Sequence, residues 1–135
     1  MKASCTGEGR DLADELEERL INFAVRIIKI ADALPRSATG THIASQPLRS
    51  GTSPAPNYAE ARSAESRADF IHKLKVALKE LNETRVWLRM ITLSSLIEDD
   101  RLSEVRDENQ QLCKVINASI TTAKSRLERS RRPNN

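Results

Sequence analysis

The sequence predicts an all-α protein that folds as an up-down-up-down antiparallel four-helix bundle. Only 3% of its 135 residues are aromatic and four are glycine, while Leu, Ala, Glu, Lys and Arg recur throughout, which is a helical composition. Apolar residues recur at spacings of three and four along four long segments, as they do on one face of an α-helix. The connections between these segments are short, so neighbouring helices should run antiparallel.

The first predicted helix runs from Leu12 to Leu34, and Pro35 ends it. One continuous apolar stripe along it consists of Leu12, Leu16, Leu20, Phe23, Ile27, Ile30 and Leu34. A second apolar set, formed by Ile21, Val25 and Ile28, lies beside that stripe. We expect a neighbouring protomer to cover this surplus apolar surface.

Helix two is predicted from about Thr41 to Arg67, after a turn at residues 37–40 in which Thr39 or Thr41 caps the helix. Proline inside a helix removes a backbone donor and clashes with the preceding turn, at a cost of about 3 kcal/mol. We therefore predict that helix two is interrupted near Pro54-Pro56 and resumes from Asn57 to Ala68. Pro47 would be harmless in the first turn of a helix.

Helix three is predicted from Ala68 or Asp69 to Leu93, and helix four begins near Leu102 after the acidic turn at residues 98–100. The predicted core stripes are Phe70, Leu74, Ala77, Leu81, Leu88 and Ile91 on helix three, and Leu102, Val105, Leu112, Ile116, Ile120, Ala123 and Leu127 on helix four. Ile71, Leu78 and Trp87 lie off the helix-three stripe, which predicts contacts with another helix or another subunit.

The length of the chain suits one domain, which we divide into three parts. Residues 1–10 are predicted to be a flexible N-terminus, residues 11–127 the bundle and residues 128–135 a basic flexible tail. From Lys114 to Asn135 six bases face one acid, Glu128. Such a tail can neutralise phosphates, although bases at a helix C-terminus also favourably oppose the helix dipole.

The sequence has no run of about 20 apolar residues and no signal-peptide core in MKASCTGEGRDL, so we expect a cytoplasmic protein with no membrane contact. Cys5 and Cys113 are isolated, which argues against a disulfide or a zinc site. We expect no cofactor.

Four segments between Leu48 and Trp87, namely RSGTS, NYAEA, SRADFIHKL and ALKELNET, are similar to a known family. They resemble the bacterial four-helix-bundle family named for proteins encoded within intervening sequences of 23S rRNA genes, and the resemblance runs from about Leu16 to Lys124. It implies a homopentamer of four-helix bundles. The chain departs from the family pattern at three prolines of helix two, where the family generally has apolar or small residues: Pro47, Pro54 and Pro56.

Catalytic and metal-binding patterns are scarce. The sequence has no GxxxxGK[ST], GxSxG, GxGxxG or HExxH motif. Di-iron bundles use two Glu-x-x-His pairs, whereas this chain has one related pair, Asp69 and His72. An ion-pair ladder of Glu65, Asp69 and Lys73 explains that segment as well. We therefore expect a non-enzymatic protein without a metal site.

Basic residues on helices two and three and in the tail are the candidates for contact with RNA or DNA. A ring of subunits would repeat each base around its axis, which enlarges the electropositive surface. The candidates are Arg49, Arg62, Arg67, Lys73, Lys75, Lys79, Lys124, Arg126, Arg129, Arg131 and Arg132, and Arg85 and Arg89 belong to the same basic surface. With one Trp, one Tyr and two Phe, the chain lacks a stacking platform, so binding should not depend on base sequence.

A polar network between helices two and three is the second candidate site, and we expect it to fix helix register. Its predicted members are Asn57, Glu60, Asp69, Lys79, Glu80 and Glu83. The alternative function is a scaffold that binds a protein partner. The predicted fold resembles that of the pentameric accessory variability determinants of diversity-generating retroelements, which act with a reverse transcriptase and nucleic acid.

Overall fold

The computed structural model describes residues 11–98 and 100–132. Their helices are α1 (Leu12–Ala33), α2 (Ala38–Thr52), α3 (Pro54–Arg62), α4 (Arg67–Ser94) and α5 (Arg101–Arg131). Because α2 and α3 follow one another as the second rod, these five helices form an all-α four-helix bundle, as predicted. The predicted flexible residues 1–10, Asp99 of the acidic turn and residues 133–135 of the predicted tail lie outside the described residues.

The second rod is interrupted at Ser53, which confirms the break predicted near Pro54-Pro56. Ser53 keeps right-handed helical angles (φ −79°, ψ −36°), and the Asn57 N–H still donates to the Ser53 carbonyl at 3.2 Å. Pro54 and Pro56 have no N–H, so the carbonyls of Ser50 and Thr52 lack the donors that an unbroken helix would supply. The rod therefore loses hydrogen bonds but keeps its general course.

The four rods form a ring in which each contacts two neighbours. Helix α1 contacts α2, α3 and α5, and α4 contacts the same three helices. Within the described part of the chain, the backbones of α1 and α4 do not approach each other closely, and the backbone of α5 approaches neither α2 nor α3. Helices α1 and α4 therefore lie diagonally opposite each other, and their outer surfaces face opposite sides of the bundle.

The core follows the predicted stripes, and α2 contributes small residues to it. The largest fully buried apolar side chains are Leu20, Phe23, Ile27 and Ile30 of α1, Leu74, Leu81, Leu88 and Ile91 of α4, and Val105, Leu112 and Ile116 of α5. A Cβ added to Gly51 would lie 2.8 Å from Ile27 Cγ1. Glycine at this position therefore allows α1 and α2 to approach closely.

Several local predictions are wrong, each for a reason that is visible in the tertiary structure. Leu12 is 82% exposed, because it is the first residue of α1 and lies at the edge of the core. Phe70, predicted for the core stripe, is only partly buried, and it packs at the edge of the core cluster. Pro47 lies well inside α2, not in a first turn, because the N-cap is Ser37, whose Oγ accepts from the Gly40 N–H at 3.0 Å.

The second rod ends earlier and α5 ends later than predicted. Helix α3 stops at Arg62, and Ser66 caps α4 by accepting a hydrogen bond from the Asp69 N–H at 3.0 Å. Helix α5 continues to Arg131, so residues 128–131 extend the bundle helix beyond the predicted boundary at residue 127. Among the helices of the described residues, none has the length and apolar character needed to cross a membrane.

Replacing both prolines of the interruption by alanine should stabilise the protein. The Pro54→Ala/Pro56→Ala variant regains two N–H groups that face the carbonyls of Ser50 and Thr52, and we expect a gain of about 1–3 kcal/mol in the free energy of unfolding. Urea denaturation measures this gain, and circular dichroism should show increased helix content.

The matched control is Pro35→Ala, which changes a proline between helices. The Pro35→Ala variant should keep the helix content of the wild type. It should not increase the free energy of unfolding, because alanine gives the unfolded chain more conformational freedom and adds no helix hydrogen bond. A double variant less stable than the wild type would show that the interruption is required for packing.

Candidate functional site

Arg49 of α2 joins the two helices that line the predicted polar network. Its guanidinium contacts Glu80 at 3.0 Å and also Glu83, both on α4. Glu83 accepts a further hydrogen bond from Trp87 Nε1 at 3.2 Å, and the Trp87 ring meets His42 edge to face. The hydrogen bond from Arg49 is the largest cause of the lowered pKa of Glu83, followed by the bond from Trp87.

A buried pair of hydroxyl groups lies beside this ion pair. Ser50 Oγ of α2 and Thr84 Oγ1 of α4 are 2.7 Å apart, and neither residue is exposed to solvent. Thr84 also donates to the Glu80 carbonyl at 2.8 Å, which uses its only hydrogen and leaves Ser50 as the donor of the pair. On the other side of α4, buried Asn109 donates to the Leu81 carbonyl at 3.0 Å.

The six predicted network residues form separate contacts rather than one network. Glu80 and Glu83 bind Arg49, while Glu60 of α3 binds Lys73 of α4 at 2.7 Å. Asn57 donates to Ser53 within its own rod. Asp69 and Lys79 form none of these cross-helix hydrogen bonds in the described residues. The sequence did not reveal the Ser50–Thr84 pair, because hydroxyl groups occur throughout the chain and only the tertiary contact distinguishes these two.

Three of the predicted nucleic-acid contacts are engaged with acids of their own chain. Arg49 binds two glutamates as described, and Lys73 binds Glu60. Arg62 binds three acids at the start of α1, which are its N-cap Asp11 at 3.9 Å, Asp14 at 2.9 Å and Glu17 at 3.0 Å. The pKa values of these three bases are raised, mainly by hydrogen bonds to their partners. Their charge is largely offset before any ligand arrives.

The other predicted bases form no ion pair within the described residues, and the structure brings four of them together in pairs. Arg67 and Arg126 line a cleft of about 800 Å³ between the start of α4 and the end of α5, which is also lined by Phe70 and by the acid Glu65. Lys75 of α4 lies beside Lys124 of α5, and the charge of Lys124 is the largest cause of the lowered pKa of Lys75. The remaining members of this unpaired set, all exposed, are Lys79, Arg129, Arg131 and Arg132.

A second cleft, between the end of α4 and the start of α5, contains Arg106, which was not among the predicted bases. It has a volume of about 440 Å³ and is lined by Arg85 and Arg89 of α4 and by Arg106 and Asp107 of α5. None of the three arginines forms an ion pair among residues 11–98 and 100–132. The seven-residue spacing of Lys75, Asn82 and Arg89 places these three residues on one face of α4, so the sequence could have shown that Lys75 and Arg89 share a surface. Nothing in the sequence showed that Arg106 faces the same cleft.

These features define a small helical bundle in which several acids pair with bases of other helices while many bases remain at the surface. The chain belongs to the 23S rRNA-intervening sequence protein family, because the sequence model of that family matches residues 15–118. Its fold is similar to the crystal structure of a protein of unknown function from the S23 ribosomal protein family of Bacteroides thetaiotaomicron VPI-5482. The identity is 34%, the TM-score 0.74, and the match covers 81% of this chain and 97% of the other. No curated protein matches the sequence.

The buried hydroxyl pair should contribute measurably to stability. Thr84→Val leaves the Ser50 hydroxyl without its buried acceptor, and we expect a loss of about 1–3 kcal/mol in the free energy of unfolding. Ser50→Ala should cost less, because Thr84 keeps its bond to the Glu80 carbonyl. The double variant should therefore recover part of the loss, as a double-mutant cycle by urea denaturation will show.

Thr92→Val is the matched control for this cycle. Thr92 lies on the same helix and donates to the Leu88 carbonyl at 2.9 Å, but it has no partner on another helix. A loss in Thr92→Val equal to that in Thr84→Val would mean that the contact across the helices contributes nothing.

Proposed function

We propose that this protein is a non-enzymatic, cytoplasmic homo-oligomeric scaffold that associates with RNA or DNA through its basic surfaces, without base specificity. The observation that carries the proposal is the distribution of ion pairs. Asp14 and Glu17 of α1 bind Arg62, Glu60 of α3 binds Lys73, and Glu80 and Glu83 of α4 bind Arg49. The bases in the last turns of α5 have no such partner among the described residues. Exposed Lys and Arg side chains that are not paired with an acid attract phosphates, and this attraction does not depend on the nucleotide sequence.

The end of the bundle where α5 finishes concentrates this charge. Lys124, Arg126, Arg129, Arg131 and Arg132 occupy or follow the last two turns of α5, and Arg67 lies across the cleft from Arg126. Salt-sensitive attraction to a phosphate backbone needs nothing more than such a charged surface. The shortage of aromatic side chains argues against the reading of unpaired bases.

Two separate apolar faces support self-association. One consists of Ile21, Val25 and Ile28 of α1 with Leu48 of α2, and the other of Val86, Met90 and Leu93 of α4. Both faces are substantially exposed, and they lie on diagonally opposite helices. Two different faces on opposite sides of a subunit suit a head-to-tail contact, which generates a ring when the rotation closes. The family resemblance adds the expectation of a pentamer.

The same apolar faces favour a second candidate function, a scaffold that binds a protein partner. A cleft of about 450 Å³ between α1 and α2 adjoins the α1 face and is lined by Ile28, Leu34, Ala44 and Leu48 among others. An exposed apolar patch with an adjoining cleft is a common feature of protein interaction sites. Under this alternative, for example as an accessory to a reverse transcriptase, a protein partner would occupy one of the two faces.

Removing charge from the end of α5 should weaken nucleic-acid binding. We expect the variant Arg126→Gln/Arg129→Gln/Arg131→Gln/Arg132→Gln to bind a labelled 20-base-pair RNA duplex less tightly in fluorescence anisotropy. The log-log slope against salt should also flatten, by about 0.9 for each phosphate that is no longer neutralised. Substitution is preferable to truncation because Leu127 packs against the core. If the wild type binds neither RNA nor DNA at about 50 mM salt, where attraction is strong, the protein-partner scaffold replaces this proposal.

Charged substitutions on the two apolar faces test the assembly. Ile28→Glu and Met90→Glu should each abolish the oligomer in multi-angle light scattering, because either change places a carboxylate in an apolar contact. Asn117→Glu, an exposed change on α5, should leave the mass unaltered. Mixing the two monomeric variants should restore a heterodimer, because each keeps the face that the other lacks. Failure to form this heterodimer would exclude a head-to-tail contact between these faces.

A further inference from the structure

Three arginines converge on the cleft between α4 and α5. Arg85 and Arg89 lie one turn apart on α4, and Arg106 faces them from α5. Asp107 is the one carboxylate among the residues lining this cleft, and Ser103 and Gln110 add uncharged polar groups. Three guanidinium groups against one carboxylate leave an excess of positive charge, and no ion pair consumes it within the described residues.

The positions of the other acids explain why these arginines have no partner. Helix α4 contains three acids, and two of them, Glu80 and Glu83, bind Arg49 on the side that faces α2. The third, Asp69, lies in the first turn of α4, and its charge adds to the effect of Glu60, the main cause of the raised pKa of Lys73. On α5, Glu108 is committed to Arg19 of α1 at 2.9 Å. Glu80, Glu83 and Glu108 thus serve contacts with other helices, and Asp107 is left as the one acid lining this cleft, against three arginines.

The basic surface continues along this groove from the cleft to the lysine pair. Asn82 of α4 meets Cys113 of α5 at 3.7 Å, and beyond that uncharged contact Lys75 lies beside Lys124. Positions 75, 82 and 89 repeat every seven residues on one face of α4. At a rise of 1.5 Å per residue, Lys75 and Arg89 are about 21 Å apart along the helix. We call this surface, formed by Lys75, Arg85, Arg89, Arg106 and Lys124, the α4–α5 groove.

We propose that the α4–α5 groove binds the phosphate backbone of a nucleic-acid strand, with Arg85, Arg89 and Arg106 contacting phosphates at one end and Lys75 and Lys124 at the other. This assignment rests on the proposed function and gives it a specific contact surface. The length of the groove favours a strand over a small anion, because about 21 Å corresponds to roughly six phosphates of one strand at 3.4 Å each. Guanidinium groups suit phosphates because they can donate two parallel hydrogen bonds.

The lysine pair supports the same ligand. Two ammonium groups held side by side repel each other, which is why the pKa of Lys75 is lowered. A phosphate between them would relieve this repulsion and favour the charged form of both. Binding of a strand should therefore raise the pKa of Lys75, and lysine side-chain NMR titrations of the free and bound protein measure this change.

The decisive comparison uses three variants of the full chain that each lose three positive charges. The groove variant is Arg85→Gln/Arg89→Gln/Arg106→Gln, the end variant is Arg129→Gln/Arg131→Gln/Arg132→Gln, and the control is Arg26→Gln/Lys29→Gln/Arg36→Gln on the α1 side. Each is titrated against the same RNA duplex between about 50 and 200 mM salt, and its mass is measured by light scattering.

We expect the groove variant to keep its mass and helix content and to lower the magnitude of the log-log salt slope by about two to three, because three phosphates would no longer be neutralised. The control should keep a slope close to that of the wild type. A groove variant with the wild-type slope, together with a flattened slope in the end variant, would overturn the groove assignment while the proposed function stands. A changed mass in the groove variant would overturn it too, because the arginines would then serve a subunit contact. If the wild type binds no nucleic acid, both proposals fail.

Discussion

The contact between α2 and α4, where Arg49 binds Glu80 and Glu83 beside the buried Ser50–Thr84 pair, is the constraint on which the register of the second rod depends. It joins α2 to α4 one turn before the proline interruption, where the second rod has lost hydrogen bonds of its own. The buried hydrogen bond between Ser50 and Thr84 lies beside it. Because a hydrogen bond is directional, it orients α2 against α4, and the other buried residues of α2 are small. Together they hold a weakened rod in register against α4.

The positions of the acids along α4 determine where charge remains at the surface. With about 100° of rotation per residue, Glu80 and Glu83 lie on the side of α4 away from Arg85 and Arg89, and there they bind Arg49 of α2. Helix α4 therefore presents bases and no glutamate to α5, which leaves the α4–α5 groove basic. The salt bridges themselves join partly exposed groups and contribute little free energy.

Because α1 and α4 are diagonally opposite, each subunit has two different apolar faces on opposite sides. Each of these helices buries one stripe in the core and leaves a second apolar set outside, and the two outer sets cannot meet within one chain. A subunit with two unlike apolar faces can propagate or close a ring. In such a ring the basic groove, which lies beside the apolar face of α4, would recur next to every subunit contact.

The sequence by itself determined the helices, their order and most of the core, because hydrophobic periodicity and proline chemistry act over short stretches of chain. Leu20, Leu74 and Leu112 are buried as their spacing predicted, and the interruption follows from prolines that cannot donate a hydrogen bond. Neither Leu12 at the end of a stripe nor Pro47 inside α2 followed the local pattern, because burial and capping depend on neighbouring helices. Only the tertiary structure decided which charges are paired: Arg49 binds two glutamates more than thirty residues away, whereas Arg106 faces an open cleft. Ion pairing depends on distances between side chains of different helices, and these distances follow from how the rods are rotated against each other.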